Sequence, residues 1–140
     1  MKKQKKTSAQ IGRMSRNKGA RAERDVARLL SKDLEKTIQR KLGASRAGGS
    51  DIEIDSLTYL DKKLVMHTHP GWSVEVKHHV TMKVANWWEQ TLAQAELEEK
   101  RPLLMFRSNR SAWSCMYYFD GEPVITDYET WLDLYTSHRI

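Results

Sequence analysis

Trp72-Ser73-Val74-Glu75-Val76-Lys77 is a run of β-formers carrying a carboxylate and an ammonium two residues apart. Side chains two apart in a strand share a face. Glu75 and Lys77 therefore project together, and Trp72, Val74 and Val76 are expected to fill the opposite, buried face. Upstream lies Gly48-Gly49-Ser50-Asp51-Ile52-Glu53-Ile54, a glycine-rich turn entering a short strand that opens with an acid. Alternation along that strand puts Asp51, Glu53 and Asp55 on one face. Asp51 and Glu75 supply two carboxylates from neighbouring strands, which suits a hard divalent cation, and the main-chain carbonyl of Val76 is a candidate third ligand. Lys77 is then placed to orient or help deprotonate an attacking water, or to stabilise negative charge. This is the donor set that metal-assisted phosphodiester cleavage requires.

The bulk composition narrows the setting. The chain has 140 residues, a formal charge of +6 and a pI of about 9.5. Its length suits one domain with a real core, and its 39% hydrophobic and 30% charged residues exclude a disordered chain. The basic balance favours a polyanionic partner, with DNA the first candidate. A single cysteine, Cys115, excludes an intramolecular disulfide and most cysteine-based metal sites, and it fits a reducing compartment. No apolar run approaches the roughly 20 residues of a membrane span. The lysine-rich start lacks the apolar segment of a secretory signal. The expectation is a cytoplasmic protein with no membrane partner, built as a flexible basic arm over 1–15 and a single domain over 16–140.

Helical periodicity predicts a first helix starting near Asn17, with Ala22, Val26, Leu29 and Leu30 as its apolar stripe. Glu23 borders that stripe, and two readings stand for it: a pair with an arginine, or a reach into a site. Strands are expected at Thr37–Leu42, from Asp51 to Ile54, and at Trp72–Lys77. A second helix fits Val84 to Glu99, carrying Trp87 and Trp88. Short strands follow at Leu103–Phe106 and Ala112–Phe119. A capping box at Thr126-Asp127-Tyr128-Glu129 announces a last helix. This order predicts an α/β domain with a central mixed β-sheet flanked by helices.

Three segments, Lys18-Gly19-Ala20-Arg21-Ala22-Glu23-Arg24, Gly48-Gly49-Ser50-Asp51 and Val74-Glu75-Val76-Lys77, together resemble the PD-(D/E)XK nuclease superfamily. Within it the closer resemblance is to the Holliday-junction resolvases of archaea and phages. The order of the motifs and their spacings, 28 and 24 residues, look like those of small members. Ser50 stands where the family often has proline. The resemblance implies a restriction-endonuclease-like core and an active site around magnesium, with manganese as a substitute. In that site Glu23, Asp51, Glu75 and Lys77 are catalytic, and Asp51, Glu75, Val76 and Glu23 hold the metal. It also implies a glutamine from the following helix near the site, Gln90 in preference to Gln94. The implied activity is paired nicking of branched DNA by a homodimer in a bacterial host cytoplasm, the dimer closing through the tryptophan-rich or the C-terminal helix.

The residues expected on DNA are Arg16, Lys18, Arg21, Arg46, His78, Lys83 and Gln90; Arg107 and Arg110 are further basic candidates. His67 and His69 read as surface imidazoles, since no spacing demands a zinc site. Rival functions remain open on sequence grounds, the last-ranked, given the charge, being an interaction protein with no nucleic-acid role; two others stand ahead of it. One is a nicking, repair or restriction-like nuclease on other DNA. The other is a basic nucleic-acid-binding module that does not cut, whose Glu-x-Lys is an ordinary same-face pair on a solvated strand.

Overall fold

The computed structural model describes residues 5, 7–41 and 49–140. Helix α1 (Ser8–Asp33) leads to strands β1 (Ile52–Ile54), β2 (Leu57–Leu60), β3 (Met66–His69) and β4 (Trp72–His78). Helix α2 (Val84–Glu98) follows, then β5 (Arg101–Arg107), β6 (Ser114–Phe119), β7 (Glu122–Asp127) and helix α3 (Tyr128–Thr136). Five strands form one sheet in the order β1-β4-β5-β6-β7, and β2 and β3 form a separate hairpin. The β4–β5 pair, joined through α2, is parallel; the other pairs are antiparallel. The sheet is therefore mixed, with helices against it, as expected.

Each face of the sheet has its own apolar layer. On one, Ala22, Val26 and Leu30 of α1 and Trp131, Leu134 and Tyr135 of α3 pack with Ile52, Ile54, Trp72, Val74, Leu103 and Met105. On the other, Trp87 and Trp88 of α2 pack against Leu104 and Phe106. These tryptophans are only 6% and 8% exposed, and Trp131 is fully buried. Neither helix thus keeps its aromatic face free for the dimer contact the sequence suggested. The large rings fill the gap between helix and sheet, where they remove the most apolar area from water.

Several boundaries differ from expectation for identifiable reasons. Helix α1 starts at Ser8 rather than near Asn17, so residues 8–15 of the expected arm are helical. Thr7 caps it, accepting from the Gln10 N–H while the Gln10 side chain accepts from the Thr7 N–H. This is a capping box, and it satisfies two otherwise orphaned donors. The strand expected at 37–42 reduces to a single bridge between Arg40 and Ile52. The Ser31 hydroxyl occupies both the N–H and the carbonyl of Ile38, which removes that residue from any ladder. Strand β7 was not anticipated, although Asp120-Gly121, both at positive φ, is a strong hairpin signal. Its Pro123 is tolerated because β7 is an edge strand. The cap of α3 is Asp127, accepting from the Thr130 N–H at 2.8 Å, one residue beyond the expected Thr126.

Candidate active site

Strand β4 is covered on both sides: Ser73 and Glu75 are 1% and 3% exposed, as buried as Val74 on the other face. Glu75 and Lys77 stand opposite Leu104 and Phe106 of β5, and so lie on the α2 side. Lys77 Nζ is 3.4 Å from Glu75 Oε1, and the side-chain N–H of Gln90 on α2 donates to the same oxygen at 3.3 Å. Asp51, just ahead of β1, arrives from the neighbouring strand. Its main-chain N–H donates to the Val74 carbonyl at 3.1 Å, and its Oδ2 accepts from the Val76 N–H at 2.9 Å. The Asp51 side chain thereby takes the place of a strand partner for Val76. The N–H and C=O of one extended residue leave the same edge, so the Val76 carbonyl also leaves toward Asp51.

These groups sit in an unfavourable electrostatic setting. Burial pushes the Glu75 carboxyl up to about 8, and the neighbouring Asp51 charge adds to the rise while Lys77 opposes it. Burial likewise pushes Asp51 up to about 6, with a further push from Glu23 against the Val76 N–H and Lys77. Among the described residues Glu75 Oε2 is buried with no hydrogen-bond partner. An orphaned carboxylate oxygen, two acids held short of full ionisation and a hard oxygen donor set fit a divalent cation of the magnesium class. Among the described residues no third Asp, Glu, His or Cys completes a ligating group of three. The remaining positions suit a main-chain carbonyl, waters or phosphate oxygens.

Glu23 comes from α1, on the other side of the sheet. Arg40 Nε and the second guanidinium nitrogen hold its Oε2 at 2.9 and 2.8 Å. Its charge reaches Asp51, but its hydrogen-bond partner is Arg40. Of the two readings left open by the sequence, the arginine pair is thus the contact observed.

A second set of contacts, invisible in the sequence, fixes the Asp51 backbone. The Asp51 carbonyl accepts from the Lys41 N–H at 2.7 Å. Glu98, near the end of α2, accepts the Ser50 N–H on Oε1 at 2.9 Å and Lys41 Nζ on Oε2 at 2.6 Å. Lys41 Nζ also reaches Glu53 at 2.9 Å. The Ser50–Glu98 bond accounts for the absence of proline at position 50, because proline has no N–H to give.

Two clefts open at the Lys77–His78 end of β4, one of them lined by Lys77 and Gln90 and neither by Asp51 or Glu75. One, of about 770 Å³, is lined by Lys18, Lys77, His78, His79, Lys83 and Gln90, among others. The other, of about 690 Å³, is lined by Ile11, Met14, Asn17, Lys18, Arg21, His78, Arg107 and Asn109. Lys18 and His78 belong to both, so most of the residues expected on DNA converge on one groove. Arg16 is exposed on α1, and Arg46 lies outside the described residues. Asn109 was not anticipated; it binds His78 Nε2 at 3.0 Å. His67 pairs with Asp61 at 2.8 Å, and His69 stacks on Tyr59, at the β2–β3 hairpin away from the cluster.

An acid leading into β1 and a Glu-x-Lys strand, joined on one face of a mixed sheet, define a PD-(D/E)XK nuclease. The family described as "Phage putative PDDEXK endonuclease" matches residues 14–133, and the chain belongs to it. That span takes in β7 and most of α3, which the motif resemblance alone did not cover. The structure is also similar to that of Archaeoglobus fulgidus Hjc, a Holliday junction resolvase from an archaeal hyperthermophile. That likeness has 19% identity and a TM-score of 0.47, and covers 80% of this chain and 85% of that one. No curated protein matches the sequence. No helix among the described residues is long and apolar enough to cross a membrane.

Proposed function

We propose that the protein is a magnesium-dependent DNA endonuclease acting on branched DNA, and that it nicks paired strands as a homodimer. The observation that carries the chemistry is the meeting of Asp51, Glu75 and Lys77 around a buried carboxylate oxygen with no hydrogen-bond partner among the described residues. Asp51, Glu75 and the Val76 carbonyl would hold the cation, with Glu23 acting on it through water or through the local field. A bound divalent cation supplies polarisation of the phosphate and a water of lowered pKa.

The side chains do the rest. Lys77, anchored on Glu75, directs its ammonium at the water or at the charge developing on the phosphate. Gln90 fixes the Glu75 rotamer. The Val76 N–H holds Asp51 in register with the strand. Lys18, Arg21, His78, Lys83 and, on the exposed helix surface, Arg16 track the phosphate backbone. The branched substrate and the dimer follow from the motif order and spacing that resemble resolvases, and from the geometry of symmetric nicking, which two active sites related by a two-fold axis satisfy.

The test is a cleavage panel of four-way junction, flap and linear duplex with magnesium, manganese or chelator. Symmetric nicks confined to the junction, lost with chelator and in Asp51→Asn, are expected. Equal cutting of linear duplex transfers the protein to the nicking or restriction-like class. DNA binding without cutting by the intact protein overturns the enzyme reading.

A further inference from the structure

Helix α1 carries a basic face of which only Asn17 and Arg21 line a cleft beside β4. Arg13, Arg21, Arg24, Arg28 and Lys32 are all exposed. At about 100° per residue they fall within a sector of roughly 100°, together with the exposed Asn17. The helix acids Glu23, Asp25 and Asp33 all fall outside that sector. The stripe runs about 28 Å along the axis, roughly the length of eight base pairs of duplex. Among the described residues its cations are largely uncommitted: the one ion pair found in it, Arg28 with Asp25, is long at 3.9 Å, with Arg28 78% exposed.

The stripe also has its own relief. Arg24, Arg28, Ser31, Gln39 and Arg40 line a depression of about 560 Å³ that shares no residue with the two clefts at the Lys77–His78 end of β4. Gly19, which faces the Lys77 cleft, points to the side of α1 roughly opposite the stripe's centre, and Lys18, which faces the same cleft, lies about 90° from that centre. A straight duplex seated in that cleft would have to wrap the helix to reach Arg24 and Arg28.

From this we infer that the outer face of α1 binds the phosphate backbone of a second DNA duplex segment, distinct from the one presented to Asp51 and Glu75. Charge complementarity selects the occupant. A run of cations with one acid, Asp25, at its margin suits a regular polyanion, and neutralising phosphates releases their counterions. Arg21, which belongs to both the stripe and a cleft, links the two tracks. The inference rests on the nuclease reading only for what the first duplex undergoes; the second contact is a matter of binding. Two duplex segments held at an angle are what a branch supplies and a short linear duplex does not.

The experiment compares wild type with R24E/R28E/K32E, and with R24K/R28K as the charge-keeping control. Binding of a four-way junction and of a short linear duplex is measured across salt concentrations with chelator present, so that no catalysis is needed. The reversal variant is expected to lose at least tenfold in junction affinity. Its dependence of log K on log salt should be shallower by about 2 to 3. Affinity for the short duplex should stay within about twofold of wild type, and the lysine control should bind the junction as wild type does. Unchanged junction affinity overturns the inference, and so does an equal loss on both DNAs, because the stripe then belongs to a single-duplex footprint. Should the junction-selective loss appear in a protein that never cuts, the second-duplex contact stands and the nuclease reading falls.

Discussion

The two faces of β4 are both largely buried and differ in the charge of the groups they hide. Toward α1 and α3 the strand presents Trp72, Val74 and Val76 to an apolar layer of ordinary composition. Toward α2 it presents Ser73, Glu75 and Lys77, and leaves Ser73 Oγ and Glu75 Oε2 buried without partners among the described residues. Gln94 Oε1 of α2 is likewise unsatisfied. Each such atom costs on the order of 1–3 kcal/mol. The apolar face is stabilising on balance despite the unpaired indole N–H groups of Trp72 and Trp131 among the described residues, while the α2 face holds an unpaired carboxylate oxygen that an arriving cation would relieve. The comparison locates function where local folding logic is broken.

Truncating the stabilising face should give the largest effect. Trp131→Ala removes a fully buried ring and is expected to cost about 4 kcal/mol in chemical denaturation. A loss under about 1 kcal/mol would mean that α3 is peripheral. On the other face, Asp51→Asn, Glu75→Gln and Lys77→Ala should each slow cleavage at least a hundredfold, about 2.7 kcal/mol. They should do so with little loss of fold, as unfolding curves would register. A variant cutting at near-normal speed leaves the mechanism.

The sharper form of the contrast is that Glu75→Gln should stabilise the metal-free protein. Glu75 is raised from its ordinary value of 4.5 to about 8, so between those limits the folded state binds more protons than the unfolded one. Stability then falls as pH rises through that window. Metal-free wild type should lose on the order of 2 kcal/mol from pH 5 to pH 8, and Glu75→Gln should show a much flatter profile. Parallel profiles would place the carboxylate in a solvated setting instead. The smallest effect should come from Glu98. Glu98→Ala removes the acceptor for Ser50 and Lys41 and should cost about tenfold in cleavage. In the metal-free protein it should also speed hydrogen exchange at the Val76 amide, which reports the seating of Asp51. Glu98→Gln keeps the Ser50 acceptor and should recover most of both.

The sequence made β4 legible because a seven-residue strand with same-face Glu and Lys is a local pattern. It made Asp51 legible because an acid after a glycine turn is also local. The helices followed from apolar periodicity. What stayed hidden was the cover over Glu75. Alternation alone cannot separate a solvated polar face from one roofed by a helix, and α2 provides that roof, with Gln90 reaching Glu75. The Ser50–Glu98 bond spans 48 residues and has no local signature. The start of α1 was missed for a different reason. Thr7 and Gln10 do spell a capping box, but the lysine-rich opening reads as a solvated arm. Glu23 shows the limit of motif transfer, since the motif gives the acid its place and Arg40 decides which group holds it.

The central claim is that Asp51 and Glu75 form one cation site. The direct measurement is titration of Mn²⁺ into the metal-free protein at pH 7, by calorimetry in two buffers of different ionisation enthalpy. Wild type is predicted to bind one ion per chain with release of a proton, because Glu75 must ionise to ligate, and Glu75→Gln is predicted to lose that binding. Binding that survives unchanged in Glu75→Gln, or none in the wild type, would contradict the account.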